Sequence, residues 1–574
     1  MFPARRSASR KCARIVFTLM AVCLFASFAG AQTDNWVGST GIWSDPAQWD
    51  SGVPVAGENI NIGTTTANST DDFSLAIGSL TLANSGDALT IPDGVTLTVS
   101  GPINNAGTIT LAGTSTNTWL EIGSNVSLTG AGTLILSSNP NAIWSSNSSN
   151  VLTNSSTITG GGSIGNQNMG LVNNGTIIST DSVVGLNINA GAAGFNNTGT
   201  LETSGSGRLY IVGSANSFLN YNGTTNTLSG GTYTANGGNI YFFGSSTGIS
   251  TLSARVTQEA GGQLMNSTTD TPALVNLASI TSTGVLTTTA TFNQPGAFSM
   301  AGALNILPST SFSVGSLAQI KNGALTGGQW VLDSNFNITG TPANITTNSA
   351  TLTLSGGTFF NTADGSNAFA NLNANKKTLR ILNFAHFTTA GTLTNSGQMT
   401  IAKGCKLTIG GTGTSYSQTT GKTTMDGMLI GTTSIAGGTF LGAGSITGNV
   451  ALGGTTAATL SLGDAGKAAQ VKVTGTYTQN STGTLTAAIG GTTVATQYSQ
   501  LKVVGAANVS GTLKATLINA FTPTVGQTFT VLSATSVAGT FSNSTIAINS
   551  TEHFAISYTA TSVVLTVASG PAAE

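Results

Sequence analysis

The sequence predicts an all-β chain, a right-handed parallel β-helix (solenoid) with an N-terminal Trp-rich cap and a C-terminal β-rich capping region. Three observations carry this expectation. The chain has 574 residues with only 18 basic and 19 acidic side chains, where an average soluble domain is about a quarter charged. A Gly-Thr phrase followed by an aliphatic or aromatic residue recurs: Gly107-Thr-Ile109, Gly132-Thr-Leu134, Gly175-Thr-Ile177, Gly199-Thr-Leu201 and later copies to Gly511-Thr-Leu513. Its spacing of 25, 43 and 24 residues over the first four copies implies a period near 20–25, the mark of a stacked repeat. Around each phrase aliphatic residues alternate with Thr or Ser, as in Thr108-Ile-Thr-Leu111 and Thr351-Leu-Thr-Leu354, the period-two pattern of half-buried strands. No window shows the 3.6-residue period and charged outer face of a solvated helix.

Taken in order, residues 1–31 read as a signal peptide: a basic head to Arg14, an apolar run Ile15–Phe28, and the small-x-small site Ala29-Gly30-Ala31. A run of 14 apolar residues is short of the ~20 needed to span a bilayer as a helix. Residues 32–79 form the cap region, because Trp36, Trp43 and Trp49 concentrate half of the six tryptophans within fourteen residues. Such rings either seal the open first coil of a solenoid or stack on a sugar or protein ligand; they are the candidate ligand-binding or cap residues. Residues 80–460 form the repeat region, roughly 17 coils stacked at ~4.8 Å into a rod on the order of 80 Å long. Residues 461–567 continue as β repeats that close the stack, with a final strand Ser562–Val567, and 568–574 form a tail.

Composition also bounds function. Beyond the signal the chain holds 13 basic against 19 acidic residues, which excludes the clustered cationic surface of a nucleic-acid binder. Signal cleavage removes Cys12 and Cys23 and leaves Cys405 alone, read as an inward-facing inert thiol. The sequence has no Asp-x-Asp, His-x-x-x-His or Cys-x-x-Cys spacing, so no metal site and no cofactor is expected. Lys376, Lys377, Arg380 and His386 form the one cationic group that a polysaccharide lyase would require; the simpler reading is a solvated loop. Asp71-Asp72 reads as a loop ahead of a strand starting at Phe73.

The segment Trp36-Val-Gly38-Ser-Thr-Gly41-Ile-Trp43-Ser-Asp-Pro46-Ala-Gln-Trp49, with Gly52-Val-Pro54, resembles the opening of bacterial secreted autotransporter-like, passenger-type β-helical repeat proteins. The phrases Gly437-Gly-Thr-Phe440-Leu-Gly442, Gly475-Thr-Tyr477, Tyr498-Ser-Gln-Leu501 and Phe529-Thr-Val531 are similar to the ends of such regions. Leu462-Gly463 departs from the Pro-Gly usual at that turn. The resemblance implies a secreted or cell-surface structural and adhesive repeat and carries over no active site. The expected function is therefore non-catalytic adhesion or cell-surface structure. The expected partners are extracellular polysaccharide or cell-surface components, with self-association open, and the chain is expected to be released or held non-covalently at the surface. The alternative is a carbohydrate-active β-helix enzyme, a lyase or hydrolase.

Overall fold

The computed structural model describes residues 31–63, 66–213, 217–242, 248–464 and 466–572. The expected signal segment up to Gly30, with Cys12 and Cys23, lies outside the described residues, as do Ala573 and Glu574 of the tail. The described chain is a parallel β-solenoid: successive short strands turn corners and each pairs in parallel with the strand one coil later. The second of its three faces is the most regular. It runs from Thr40–Ile42 through Asn68–Thr70, Ala88–Ile91, Thr108–Leu111 and Thr133–Leu136, and on to Thr512–Leu517. Twenty parallel steps link these twenty-one strands, so at ~4.8 Å per step the rod is on the order of 100 Å long.

The alternation read from the sequence is the burial pattern. In Thr108–Leu111, Ile109 and Leu111 are buried while Thr108 and Thr110 face outward. Stacking repeats this, so Leu89, Ile109, Leu134, Ile158, Ile177 and Leu201 form one inward column. The Gly-Thr phrase is the corner between the first and second faces. A Cβ on Gly132 would lie 2.2 Å from the carbonyl oxygen of Gly107, and one on Gly199 would lie 2.1 Å from that of Gly175. Only glycine lets the coils approach this closely. Beside this corner runs a buried asparagine spine: Asn154 Nδ2 donates to Asn173 Oδ1, and Asn173 Nδ2 to Asn197 Oδ1, each at 2.8 Å. The motif returns where Asn348 donates to Asn375 at 2.8 Å and Asn375 to Asn395 at 2.7 Å.

Coil length varies more than the sequence period implies. Register partners in consecutive second-face strands lie 17 residues apart at Lys422 and Thr439, and 32 apart at Thr200 and Thr232. The extra residues form antiparallel hairpins, at Tyr221–Asn222 against Thr227–Leu228, Met265–Asn266 against Thr271–Pro272, Ile320–Lys321 against Ala324–Leu325, and Phe360–Asn361 against Ser366–Asn367. Two of these hairpins interrupt the third face, which is built from three successive sheets. Inside the middle sheet Phe292, Phe312, Phe336 and Phe359 stack coil upon coil, with centroids 4.2, 5.4 and 5.1 Å apart. A partly open cavity of about 160 Å³, lined by Leu274, Leu286, Phe292 and Phe312, marks the break between the first two sheets.

Parallel ladders already run through residues 32–79, where Thr33–Trp36 pairs with Asn59–Ile62, so the tryptophan segment is the first coil as well as the end of the stack. At the other end, parallel pairing reaches Ala506–Val509 with Ser536–Gly539. The third face then turns antiparallel: Thr528–Ser533 pairs with Ser562–Ser569, which pairs with Glu552–Tyr558, and that with Thr545–Ala547. A three-residue outermost strand leaves little free edge for further pairing.

Candidate functional site

The three tryptophans present no face to a ligand. Trp36 and Trp43 are fully buried and Trp49 is 5 % exposed. Trp49 stands edge-on between the other two, with centroids 5.1 Å from Trp36 and 5.4 Å from Trp43. Its Nε1 donates to the Trp43 carbonyl at 2.9 Å. Asp45 caps the short 3₁₀ turn Pro46–Gln48, its carboxylate accepting from the Ala47 amide, and this turn folds Trp49 back over the chain end. The cluster covers apolar surface that the first coil would otherwise leave open to water.

Beneath it lies a buried acid. Trp43 N donates to the Thr70 carbonyl and Asp71 N to that of Thr90, so Trp43, Asp71 and Ile91 follow one another in the inward column of successive coils. Asp71 is fully buried, and neither its carboxyl oxygens nor the Trp43 indole N–H has a hydrogen-bond partner. Burial raises the Asp71 pKa to about 8, because a desolvated carboxylate is costly. Asp71 and Asp72 do lie in a loop, between Asn68–Thr70 and a strand that begins at Leu75 rather than at Phe73, but the alternation continues one residue past the first strand and turns Asp71 inward. Asp72 does face outward and holds the Ser44 amide at 2.9 Å. Asp34, also buried, is raised to about 6, first by desolvation and then by its hydrogen bond with Asp50. A perturbed carboxyl in an open cleft is an active-site candidate; Asp71 is sealed in the core.

The cationic group does not converge. Lys376 and Lys377 lie at the corner ahead of the second-face strand Thr378–Ile381, Arg380 projects outward from that strand, and His386 begins the third-face strand His386–Thr389. Cys405 is a free thiol, 2 % exposed, in the turn before the third face. Among the described residues no group of three His, Cys, Asp or Glu side chains is arranged to hold a metal ion, and no helix is long and apolar enough to cross a membrane.

What the sequence reading missed is on the outside of the third face. Trp119 and Trp144 project from neighbouring coils with centroids 4.7 Å apart. Farther along, Tyr210 and Tyr241 are direct register partners, stacked at 4.7 Å with planes 15° apart. Trp119, Tyr210 and Tyr241 belong to one outward column that passes through Ala142, Ser163 and Asn187. The short side chains of Ala142, Ser163 and Asn187 separate the rings along this column. At the other end of the same face an open depression of about 450 Å³ is floored by Ala443, Gly444 and Ser445 and rimmed by Lys406, Met428 and Lys472. Tryptophan 25 residues after tryptophan, one coil length, was the available signal.

The fold places this chain in the class of parallel β-solenoid proteins. No protein-family model and no curated protein sequence matches it. Among solved structures it is similar to the crystal structure of the Haemophilus influenzae Hap adhesin, with 12 % sequence identity and a TM-score of 0.22 over 89 % of this chain. The match spans 64 % of that adhesin chain.

Proposed function

We propose that this chain is an extracellular, non-catalytic β-helical rod that serves in adhesion or cell-surface structure, and that its third face is the adhesive surface. The observation that carries the reading is the pairing of outward-facing rings, Trp119 with Trp144 and Tyr210 with Tyr241, on one face of the rod. Half-buried aromatic rings that face out of a rigid sheet supply contact area at small entropic cost, which is how docking surfaces gain most of their energy. A secretory leader at residues 1–31 accords with this location. The dispersal of Lys376, Lys377, Arg380 and His386 over three surfaces favours this reading over the lyase alternative.

The test is attachment. Beads coated with the mature chain should adhere to polysaccharide films or to one another. The variant Trp119→Ser/Trp144→Ser/Tyr210→Ser/Tyr241→Ser should lose at least about tenfold of that attachment, equivalent to about 1.4 kcal/mol, with an unchanged β-type circular dichroism spectrum. Unaltered attachment by the folded variant would refute the third face as the adhesive surface.

A further inference from the structure

The charges of this rod are sorted by position. From Asp34 to Glu202 there are eleven acidic residues and no Lys or Arg; from Lys376 to Lys514 there are ten Lys or Arg against Asp426 and Asp464. Coils can be numbered by the second-face strand that opens them, Thr40–Ile42 being the first and Thr512–Leu517 the twenty-first. On the third face and its edge with the second, the acids of the acidic half beyond the first coil are Asp72 in coil 2, Asp93 in coil 3, Glu121 in coil 4 and Asp181 in coil 7; farther along come Glu259 and Asp270 in coil 10, Asp333 in coil 13, Asp364 in coil 14, Asp426 in coil 17 and Asp464 in coil 19. The bases are Lys403 and Lys406 in coil 16, Lys467 and Lys472 in coil 19, and Lys502 in coil 20. Coil 3 mirrors coil 20, coil 4 mirrors coil 19, and coil 7 mirrors coil 16 about one point, halfway between coils 11 and 12.

We propose that two copies of this chain pair antiparallel, third face to third face, about a two-fold axis crossing the rod between its eleventh and twelfth coils. The proposal rests on the third face being the adhesive surface and names its partner. Such an isologous arrangement makes every contact twice: Asp93 meets Lys502, Glu121 meets Lys472, and Asp181 meets Lys403 and Lys406 of the other copy. Shape follows the same mirror. Trp119 and Trp144 stand on coils 4 and 5, and the depression, which runs from His386 in coil 15 to Lys472 in coil 19, has its floor of Ala443, Gly444 and Ser445 on coil 18, where the mirror places it opposite Trp144. Three juxtapositions run against the scheme: Glu259 and Asp270 in coil 10 opposite Asp333 in coil 13, Arg208 in coil 8 opposite His386 in coil 15, and Asp464 in coil 19 opposite Glu121 in coil 4, where Lys467 and Lys472 of the same coil outnumber it. The first two lie nearer the axis than the tryptophans.

A polyanion would answer the basic half alone, and a cation the acidic half alone. A second copy answers both with one register. The two halves lie about 70 Å apart from coil 4 to coil 19, many times the ~8 Å screening length at physiological salt. They do not neutralise each other within one chain, and facing patches of opposite sign steer association.

Sedimentation velocity and small-angle scattering of the mature chain at about 0.05 M and about 0.5 M salt test this. The expected result is a dimer at low salt whose maximum dimension is close to that of one rod, and a monomer at high salt. Lys406→Glu/Lys472→Glu/Lys502→Glu should be monomeric at both. Glu121→Lys and Lys472→Glu should each weaken the dimer at least about tenfold, and an equimolar mixture of the two should restore it, because both cross-pairs are then opposite in sign. Asp93 and Asp181 also hold loop amides and are left unaltered; Glu121 accepts from the Thr98 hydroxyl and the Ser146 amide, so Glu121→Lys is first checked for an unchanged β-type circular dichroism spectrum and melting temperature. A chain monomeric at low salt, a dimer nearly twice the rod length, a mixture that fails to restore pairing, or a monomer that instead binds heparin through its lysines would each overturn the proposal. Attachment of beads to polysaccharide by a strictly monomeric chain would leave the adhesive reading standing and refute this one.

Discussion

At the residue scale the most consequential group is Asp71. It has a raised pKa in the folded rod and an ordinary one, near 3.9, in the unfolded chain. Between those values the folded state binds the extra proton, so stability is greatest at acid pH and falls as pH rises from about 4 toward about 8. Asp34 adds to the same slope over the narrower window from about 4 to about 6. Thermal melts across this range should therefore decline with pH. Asp71→Asn, which keeps the shape but cannot ionise, should remove most of the decline and raise the melting temperature at pH 8. A melting temperature that rises from pH 4 to pH 8 would contradict the buried, unpartnered carboxyl. The outward-facing Asp93 behaves oppositely: hydrogen bonds from the Ser115 hydroxyl and from loop amides hold its pKa below the usual carboxylate range.

At the scale of elements, the corner between the first and second faces does most to set coil on coil. Asn375 there accepts from Asn348 and donates to Asn395 and to the Gln398 carbonyl at 3.0 Å, all out of reach of water. Asn375→Ala leaves both neighbouring amides short of a partner, so a loss of about 1–3 kcal/mol is expected, measured as a lower denaturant midpoint; an unchanged midpoint would show that the spine does not contribute. This corner was legible because its geometry is written in residue type: glycine where a carbonyl of the next coil touches Cα, and Thr-aliphatic alternation immediately after. The hairpins between Tyr221 and Asn367 were not legible, because insertions break the period without altering the composition. Trp119 and Trp144 escaped for a different reason. Both occupy outward positions, Trp119 in an alternating strand and Trp144 at the end of one whose other residues are buried, and two residues do not make a repeat. The N-terminal tryptophans were conspicuous by density, yet density alone did not separate a buried plug from an exposed platform; the 3₁₀ turn that folds Trp49 back does so.

At the scale of the whole molecule, the hydrogen bonds that join coil to coil lie along the rod axis, and nearly every coil touches only its two neighbours. Tension applied between the ends of such a rod loads its ladders in series, so they part a rung at a time. Each coil released gives up about 4.8 Å of rod and returns a chain that extends to about 3.3–3.6 Å per residue, a gain on the order of 70 Å for a coil of typical length. Single-molecule pulling should show a train of small, similar force peaks rather than one large rupture, with longer intervals where the hairpin-bearing coils let go. A surface tether built this way dissipates work and lengthens under load while the coils still stacked keep their shape.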